Sequence, residues 1–346
     1  MGKIHTVLGE IDQADAGVML THEHIIYANP GADLDHNTIY DVDAVSTEVA
    51  ASLDDTKARF GLGTMVDLTA NELGRNPETL KKTAQKSRVH IIGTTGFFPE
   101  RIGIPYHFRK QDVGYMADFF VRDLTVGMAY ANKLWDVRAG VIKIATGSSD
   151  GHEGQTPVQE SGLRITPIEE QIVRAAGRAQ ARTGCPINTH TEPSDFEVTN
   201  PGIEQLDLLT AEGADPTKVL IGHAFVHPNL DQMVEICERG AMLQIDHIGI
   251  PWRHSSADEL DELIAKHVAA LVERGYLSQL TFSYDRFFHW QHTGAAAEGD
   301  LQNEAVKMDY LWEFFVPRLA KHGFGEAELK TVLVDNPARL FAWDRK

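Results

Sequence analysis

The stretch VMLTHEH, Val18–His24, decides how the rest of the chain is read. It is a short apolar run that ends in two histidines one residue apart. On a β-strand successive side chains alternate between faces, so His22 and His24 point one way and Glu23 the other. Two imidazoles on one side of a strand end make half of a metal site. A His-x-His pair also arises by chance in a chain with 16 histidines, so its meaning depends on whether other apolar runs end in ligand-type residues.

Working outward, apolar or β-branched runs recur at Thr64–Thr69, Val89–Phe98, Gly140–Thr146, Pro186–Glu192, Val219–Phe225, Met242–Ile248 and Leu280–Asp285. Helical spacing fills the intervals: Asp43–Phe60, closed by Gly61 and Gly63; Pro77–Ser87; Asp112–Trp135, read as one long helix; Pro167–Thr183, with Thr166 and Glu169 as a capping box; Gly202–Glu212; Leu230–Arg239; and Asp258–Arg274. Glu304–His322 and Glu326–Leu333 close the series. Alternating strand and helix argues for a parallel sheet with helical crossovers. The G-x-G-x-x-G fingerprint of a dinucleotide-binding doubly wound sheet is missing after the first strand. Eight units without a composition break predict an α/β fold, a closed (β/α)8 TIM barrel forming a single domain over residues 1–346.

Composition bounds the function. Of 346 residues, 50 are Asp or Glu and 32 are Lys or Arg, a net charge of -18 that repels phosphate backbones and anionic membrane surfaces. Neither nucleic acid nor membrane is expected as a partner. The start, MGKIHTVLGEID, has no apolar core of a signal peptide, and no apolar run is long enough to span a bilayer, so a cytoplasmic protein is expected. The two cysteines, Cys185 and Cys237, sit in apolar surroundings and read as small buried thiols.

In a barrel the carboxyl ends of the strands converge on one mouth. Those ends supply His22, His24, Lys143, His190, His223, His247 and Asp285. So many ligand-type groups aimed at one cavity need cations to offset their desolvation. Lys143, inside the run GVIKIAT, is buried and cannot stay charged cheaply. As a neutral amine it can capture carbon dioxide as a carbamate whose two oxygens bridge two metals; the plain alternative is a lysine paired with a buried carboxylate. His190 and His223, ending consecutive strands, suit the second metal. Asp285 suits a carboxylate that binds one metal and accepts a proton, which His247 relays outward. Zinc is the default for imidazole and oxygen donors, and Co, Mn or Fe would also fit.

The loops after the third, seventh and eighth strands offer apolar surface for an acyl or aryl group, chiefly Phe98, Tyr106, Trp252 and Trp290, although lid packing or a subunit contact would use the same residues. Arg286, with Arg101, Arg109 and Arg253, could meet an anionic substrate, or be solvated.

The ordered set THEH, GVIKIAT, NTHTE, IGHAF, DHI, SYD and NPARLF resembles the phosphotriesterase-like branch of the amidohydrolase superfamily over essentially the whole chain. The resemblance implies a binuclear hydrolase in which His22, His24 and Asp285 hold the more buried ion, His190 and His223 the more exposed one, and carboxylated Lys143 bridges them. It implies hydrolysis of a lactone or carboxylic ester by a shared hydroxide, or of a phosphotriester on the same centre; a homodimer is the expected assembly. Against the pattern of homoserine-lactone-type members, Phe98 stands where a tyrosine is expected and His247 where an arginine is. The Asp246-His247 pair is similar to the phosphotriesterases, but Ala224-Phe225-Val226 replaces the aspartate that extends their relay, so the relay is truncated or rerouted. A non-catalytic metal-binding barrel is the reading from another class, and the pairing of Lys143 with a proton acceptor, Asp285, speaks against it.

Overall fold

The computed structural model describes residues 2–147, 164–252, 254–293 and 306–344. Nine parallel strands form one curled sheet: β1 (Val18–Ala28), β2 (Leu62–Asp67), β3 (His90–Gly96), β4 (Ala139–Ala145), β5 (Ile187–His190), β6 (Val219–Ile221), β7 (Met242–Ile245), β8 (Leu280–Phe282) and β9 (Arg286–Gln291). They lie side by side in the order β8-β7-β6-β5-β4-β3-β2-β1-β9. Among the described residues each of the first seven intervals holds one helix of nine residues or more: α1 (Val42–Phe60), α2 (Pro77–Lys86), α3 (Val113–Thr125), α4 (Pro167–Thr183), α5 (Pro201–Ala211), α6 (Leu230–Glu238) and α7 (Ala257–Glu273).

Local chemistry places the helix ends. Asp41, Asn76, Asn229 and Ser256 accept amide hydrogens of the first turns of α1, α2, α6 and α7, and Thr166 with Glu169 forms the expected capping box on α4. Strand alternation divides the core. Met19, Val66, Ile92, Val141, Leu220 and Met242 pack on one side with Ile4, Leu340 and Phe341. Their neighbours Leu20, Met65, Ile91 and Ile142 pack on the other against Leu53, Leu80, Phe120 and Ile172 of the helices. Sheets buried on both faces read as continuous apolar runs, which is why these strands are visible in the sequence. Two short strands near the N-terminus, Lys3–Thr6 and Gly9–Ile11, join Ala342–Trp343 in a small antiparallel sheet that the sequence does not announce.

Two expectations are corrected. The helix expected over Asp112–Trp135 stops at Thr125, because Gly127 turns the chain at φ 156° and a hairpin follows, Ala129–Tyr130 with Lys133–Leu134. Its tip, Ala131-Asn132, takes the left-handed values of a two-residue hairpin turn, φ 49° and 58°. The eighth strand, expected as Leu280–Asp285, breaks after Phe282 and resumes as β9. β8 pairs with β7, and β9 pairs with β1. Ser283 N donates to Ile245 O on one side of the break, and Asp285 N donates to His22 O on the other, both at 2.9 Å. The sheet's two outermost strands are thus successive pieces of chain. Arg253, residues 148–163 and the start of the Glu304 helix lie outside the described residues.

One glycine is indispensable to this arrangement. Gly96, at the end of β3, has φ 134°, and a Cβ there would fall 1.7 Å from Lys143 O. Gly96→Ala is expected to cost about 3 kcal/mol or more in urea unfolding, since both the backbone conformation and the neighbouring strand must give way. A variant within about 0.5 kcal/mol of the parent would refute this packing.

Candidate active site

The middle of β1, which runs four residues past His24, and the carboxyl ends of β4–β8 deliver the side chains to one cluster. His22 and His24 sit at ring separations of 5.3 Å from each other, and His22 is 5.4 Å from His223. His223 is in turn 4.4 Å from His190 and 4.7 Å from His247. Asp285 Oδ1 lies 2.9 Å from His24 Nε2 and 3.3 Å from His22 Nε2, while Oδ2 lies 3.3 Å from His247 Nε2. Lys143 Nζ donates to Asn188 Oδ1 at 2.9 Å and stands 3.3 Å from His22 Nε2. All seven residues predicted at strand ends therefore meet, and all are buried.

The partners fix which ring nitrogen is free. Gln244 Nε2 donates to Thr21, so its Oε1 is the acceptor that faces His22 Nδ1 at 2.9 Å. Thr69 donates its hydroxyl to Ile26 O and so accepts from His24 Nδ1 at 3.1 Å. His223 Nδ1 lies 3.0 Å from Asp246 Oδ2. The Gln244 and Thr69 contacts favour the proton on Nδ1 of His22 and His24, and the Nε2 atoms of both rings converge on Asp285 Oδ1, a set of ligand atoms that could share one cation. His190 goes further: among the described residues neither ring nitrogen has a hydrogen-bond partner, although the side chain is buried. Burial, then the charges of His223 and Lys143, push its pKa well below the usual value, so the ring is neutral and ligand-competent. Burial likewise takes His22 down to about 3 and Lys143 to about 8.

Asp246 reads in the sequence only as one of a pair. In the fold it is fully buried and central, with oxygens 3.5 Å from His22 Nδ1, 3.0 Å from His223 Nδ1 and 3.3 Å from His247 Nδ1. Burial works against its charge, but these three partners hold its pKa well below the carboxylate range. His247 lies between Asp246 and Asp285; burial would lower its pKa, yet the two carboxylates raise it to about 10. The chain of polar contacts runs from Asp285 through His247 to Asp246, and it ends on a buried carboxylate instead of leading outward. His223, His247 and Asp285 all take left-handed backbone values, φ 63°, 57° and 60°, the kind of local strain that concentrates at functional sites.

Asn188 and Gln244 also join the cluster without having been expected there. Asn188 Nδ2 donates to Gln244 Oε1 at 3.1 Å, linking the lysine to the His22 support. The sequence does carry the signal: each is a polar residue inside an apolar strand, two positions before a cluster residue, His190 and Asp246, and so on the same face.

The loop residues divide. Phe98 packs against His190 at 4.7 Å, and Trp252 against His247 at 5.1 Å. Phe98 N donates to the buried carboxylate of Glu72. Trp290 stands one layer further out, against Tyr27 and Phe287, the two rings that flank His24. Tyr106 is 73% exposed and carries Lys110 Nζ over its ring, away from the cluster. Arg286 lays its guanidinium over Phe288 and donates to Val306 O. Both cysteine thiols are buried and pushed up to about 12, which leaves them unreactive.

Among the described residues, three sets of side chains have ligand atoms close enough to share an ion: His22, His24 and Asp285; His22, His223 and Asp246; His223, His247 and Asp285. Fold and site together define a class, the parallel-sheet α/β enzymes that assemble a metal-capable histidine and carboxylate centre at the carboxyl edge of the sheet. The chain belongs to the phosphotriesterase family, whose family model matches residues 2–341. It is 30% identical over 355 residues to the phosphotriesterase homology protein of Mycobacterium tuberculosis, covering 99% of this chain and 98% of the relative. It is 27% identical to an aryldialkylphosphatase of Saccharolobus solfataricus, covering 96% of this chain and 97% of that one. The structure of the phosphotriesterase from Mycobacterium tuberculosis superposes with a TM-score of 0.82 at 28% identity, over 99% of this chain and 100% of that one. A Deinococcus radiodurans PTE-like lactonase mutant gives 0.82 at 29%, over 98% and 100%. The protein is accordingly a hydrolase acting on esters. Among the described residues no helix is long and apolar enough to cross a membrane.

Proposed function

We propose that the protein is a binuclear metal-dependent hydrolase of lactones or carboxylic esters, built as one closed (β/α)8 domain. The observation that carries this is His190, buried and with neither ring nitrogen hydrogen-bonded among the described residues, beside His22, His24 and His223, whose Nδ1 atoms lie against oxygens of Gln244, Thr69 and Asp246. His22, His24 and Asp285 would hold one ion and His190 and His223 the other, with zinc the default, and Lys143 bridging as its carbamate. When bound, the two cations supply an activated water and polarise the scissile oxygen.

The chain's own residues do the rest. Asp285 accepts the proton of the attacking water and returns it to the leaving oxygen. His247, held as an imidazolium between Asp246 and Asp285, keeps Asp285 ionised and oriented in the resting site. Phe98 and Trp252 wall the mouth and exclude water around the acyl group. An alkoxide leaves poorly unless it is protonated, whereas an aryloxide needs little help. A site with a positioned proton donor is therefore better suited to lactones and alkyl esters than to aryl phosphotriesters.

The test is a panel of γ- and δ-lactones, alkyl and aryl esters and aryl dialkyl phosphates on zinc-reconstituted protein. Lactone or alkyl ester kcat/KM is expected to exceed that for the phosphotriester by about 10²-fold or more, and chelation to remove all activities together. A phosphotriester turned over best would reverse the assignment. Turnover of nothing in the panel would leave a binding protein.

A further inference from the structure

We infer that Glu23, the residue between the two histidines of the opening motif, is the positioning residue that holds Asp285 in place; the role given to Asp285 rests on the function proposed above. Glu23 is fully buried, and its carboxylate crosses from β1 to the break in the eighth strand. Oε1 accepts hydrogen bonds from Ser283 Oγ at 2.8 Å and Tyr284 N at 3.0 Å, and Oε2 accepts one from Arg286 N at 2.8 Å. These two amides belong to the residues immediately before and after Asp285. The amide of Asp285 itself donates to His22 O.

Three successive amides, 284, 285 and 286, are therefore all taken by residues 22 and 23. In a regular strand alternate amides point to opposite sides, so a backbone ladder cannot capture three in a row from one neighbour. It happens here because the chain turns through a left-handed residue, φ 60° at Asp285, and because a side-chain carboxylate supplies the acceptors that a backbone could not. The same corner is where the eighth strand exchanges β7 for β1 as its partner. A carboxylate gripping both flanks of Asp285 sets where its Oδ atoms fall relative to His22, His24 and His247.

Glu23→Gln tests this on the full-length, metal-loaded protein. Glutamine keeps the shape and one acceptor oxygen but turns an NH2 toward one of the amide donors. The expected result is a fall in kcat of about 10- to 100-fold with KM changed less than about twofold and metal content unaltered. Hydrogen exchange at Tyr284 and Arg286 should quicken while the amides of β2 and β3 keep their protection. Glu23→Asp, which keeps the carboxyl group on a shorter arm, should fall between the parent and the glutamine variant, and it serves in place of the latter should that one not fold. A kcat within twofold of the parent, unaltered exchange at the two amides, or loss of metal along with kcat would each overturn the assignment, the last because Glu23 would then be supporting the histidines. Failure of the ester-hydrolase reading would show separately, as absence of turnover by the unsubstituted protein.

Discussion

Lys143→Met is expected to lower ester hydrolysis by about 10³-fold or more and to leave the melting temperature of the metal-free protein unchanged or raised. Lys143 is fully buried on β4, and among the described residues its amine is held by Asn188 Oδ1 and the edge of His22. Methionine fills nearly the same volume with a flexible apolar stem, so no cavity is created. Removing the amine relieves its desolvation and leaves Asn188 Oδ1 without that donor; each effect is on the order of 1–2 kcal/mol, and they oppose one another. Stability should therefore barely move. Function should collapse, because the carbamate that would hold the two cations together can no longer form. The measurements are kcat/KM, metal content per chain and calorimetric melting. A methionine variant that keeps two ions and hydrolyses within tenfold of the parent would remove the bridging role of Lys143.

Much of this site is legible in the amino-acid sequence, and the reason is physical. Strands buried on both faces tolerate polar side chains only where something offsets their desolvation, so His22, Lys143, His190, His223 and His247 stand out against Val, Ile and Leu. The alternation of strand and helix is legible for the same reason. What escapes are features that depend on partners far away in sequence. Glu23 looks like the residue facing away from the histidine cluster, and its use is decided by amides about 260 positions later. Asp246 looks like half of a local pair, and only the curl of the sheet shows it shared among His22, His223 and His247. The break after Phe282 and the hairpin after Gly127 are hidden because each depends on left-handed backbone values at non-glycine residues, which side-chain pattern does not announce. Tyr106 groups with the mouth on residue type alone, and its loop carries it to the surface.

Asp285→Asn carries the second large expectation, a fall in kcat of about 10²- to 10⁴-fold that excess metal does not repair. Asparagine tolerates left-handed backbone nearly as well as aspartate, so the corner at φ 60° and the Glu23 contacts on either side should persist. What is lost is charge and basicity. Burial pushes the Asp285 carboxyl upward, but His22, His24 and His247 more than reverse this and hold it well below the ordinary range. It is thus ionised in the resting site and able to take a proton only when one is released beside it. An amide cannot take that proton, and it also leaves His247 with Asp246 alone of its two carboxylates, which should bring the imidazole down from its raised value of about 10. Two roles are separable in one experiment. If Asp285 serves only to hold an ion, saturating zinc should bring kcat back to the parent's level, because occupancy is then the only deficit. If it is the proton acceptor, zinc content recovers and kcat does not. Recovery of both would assign the proton transfer to another group.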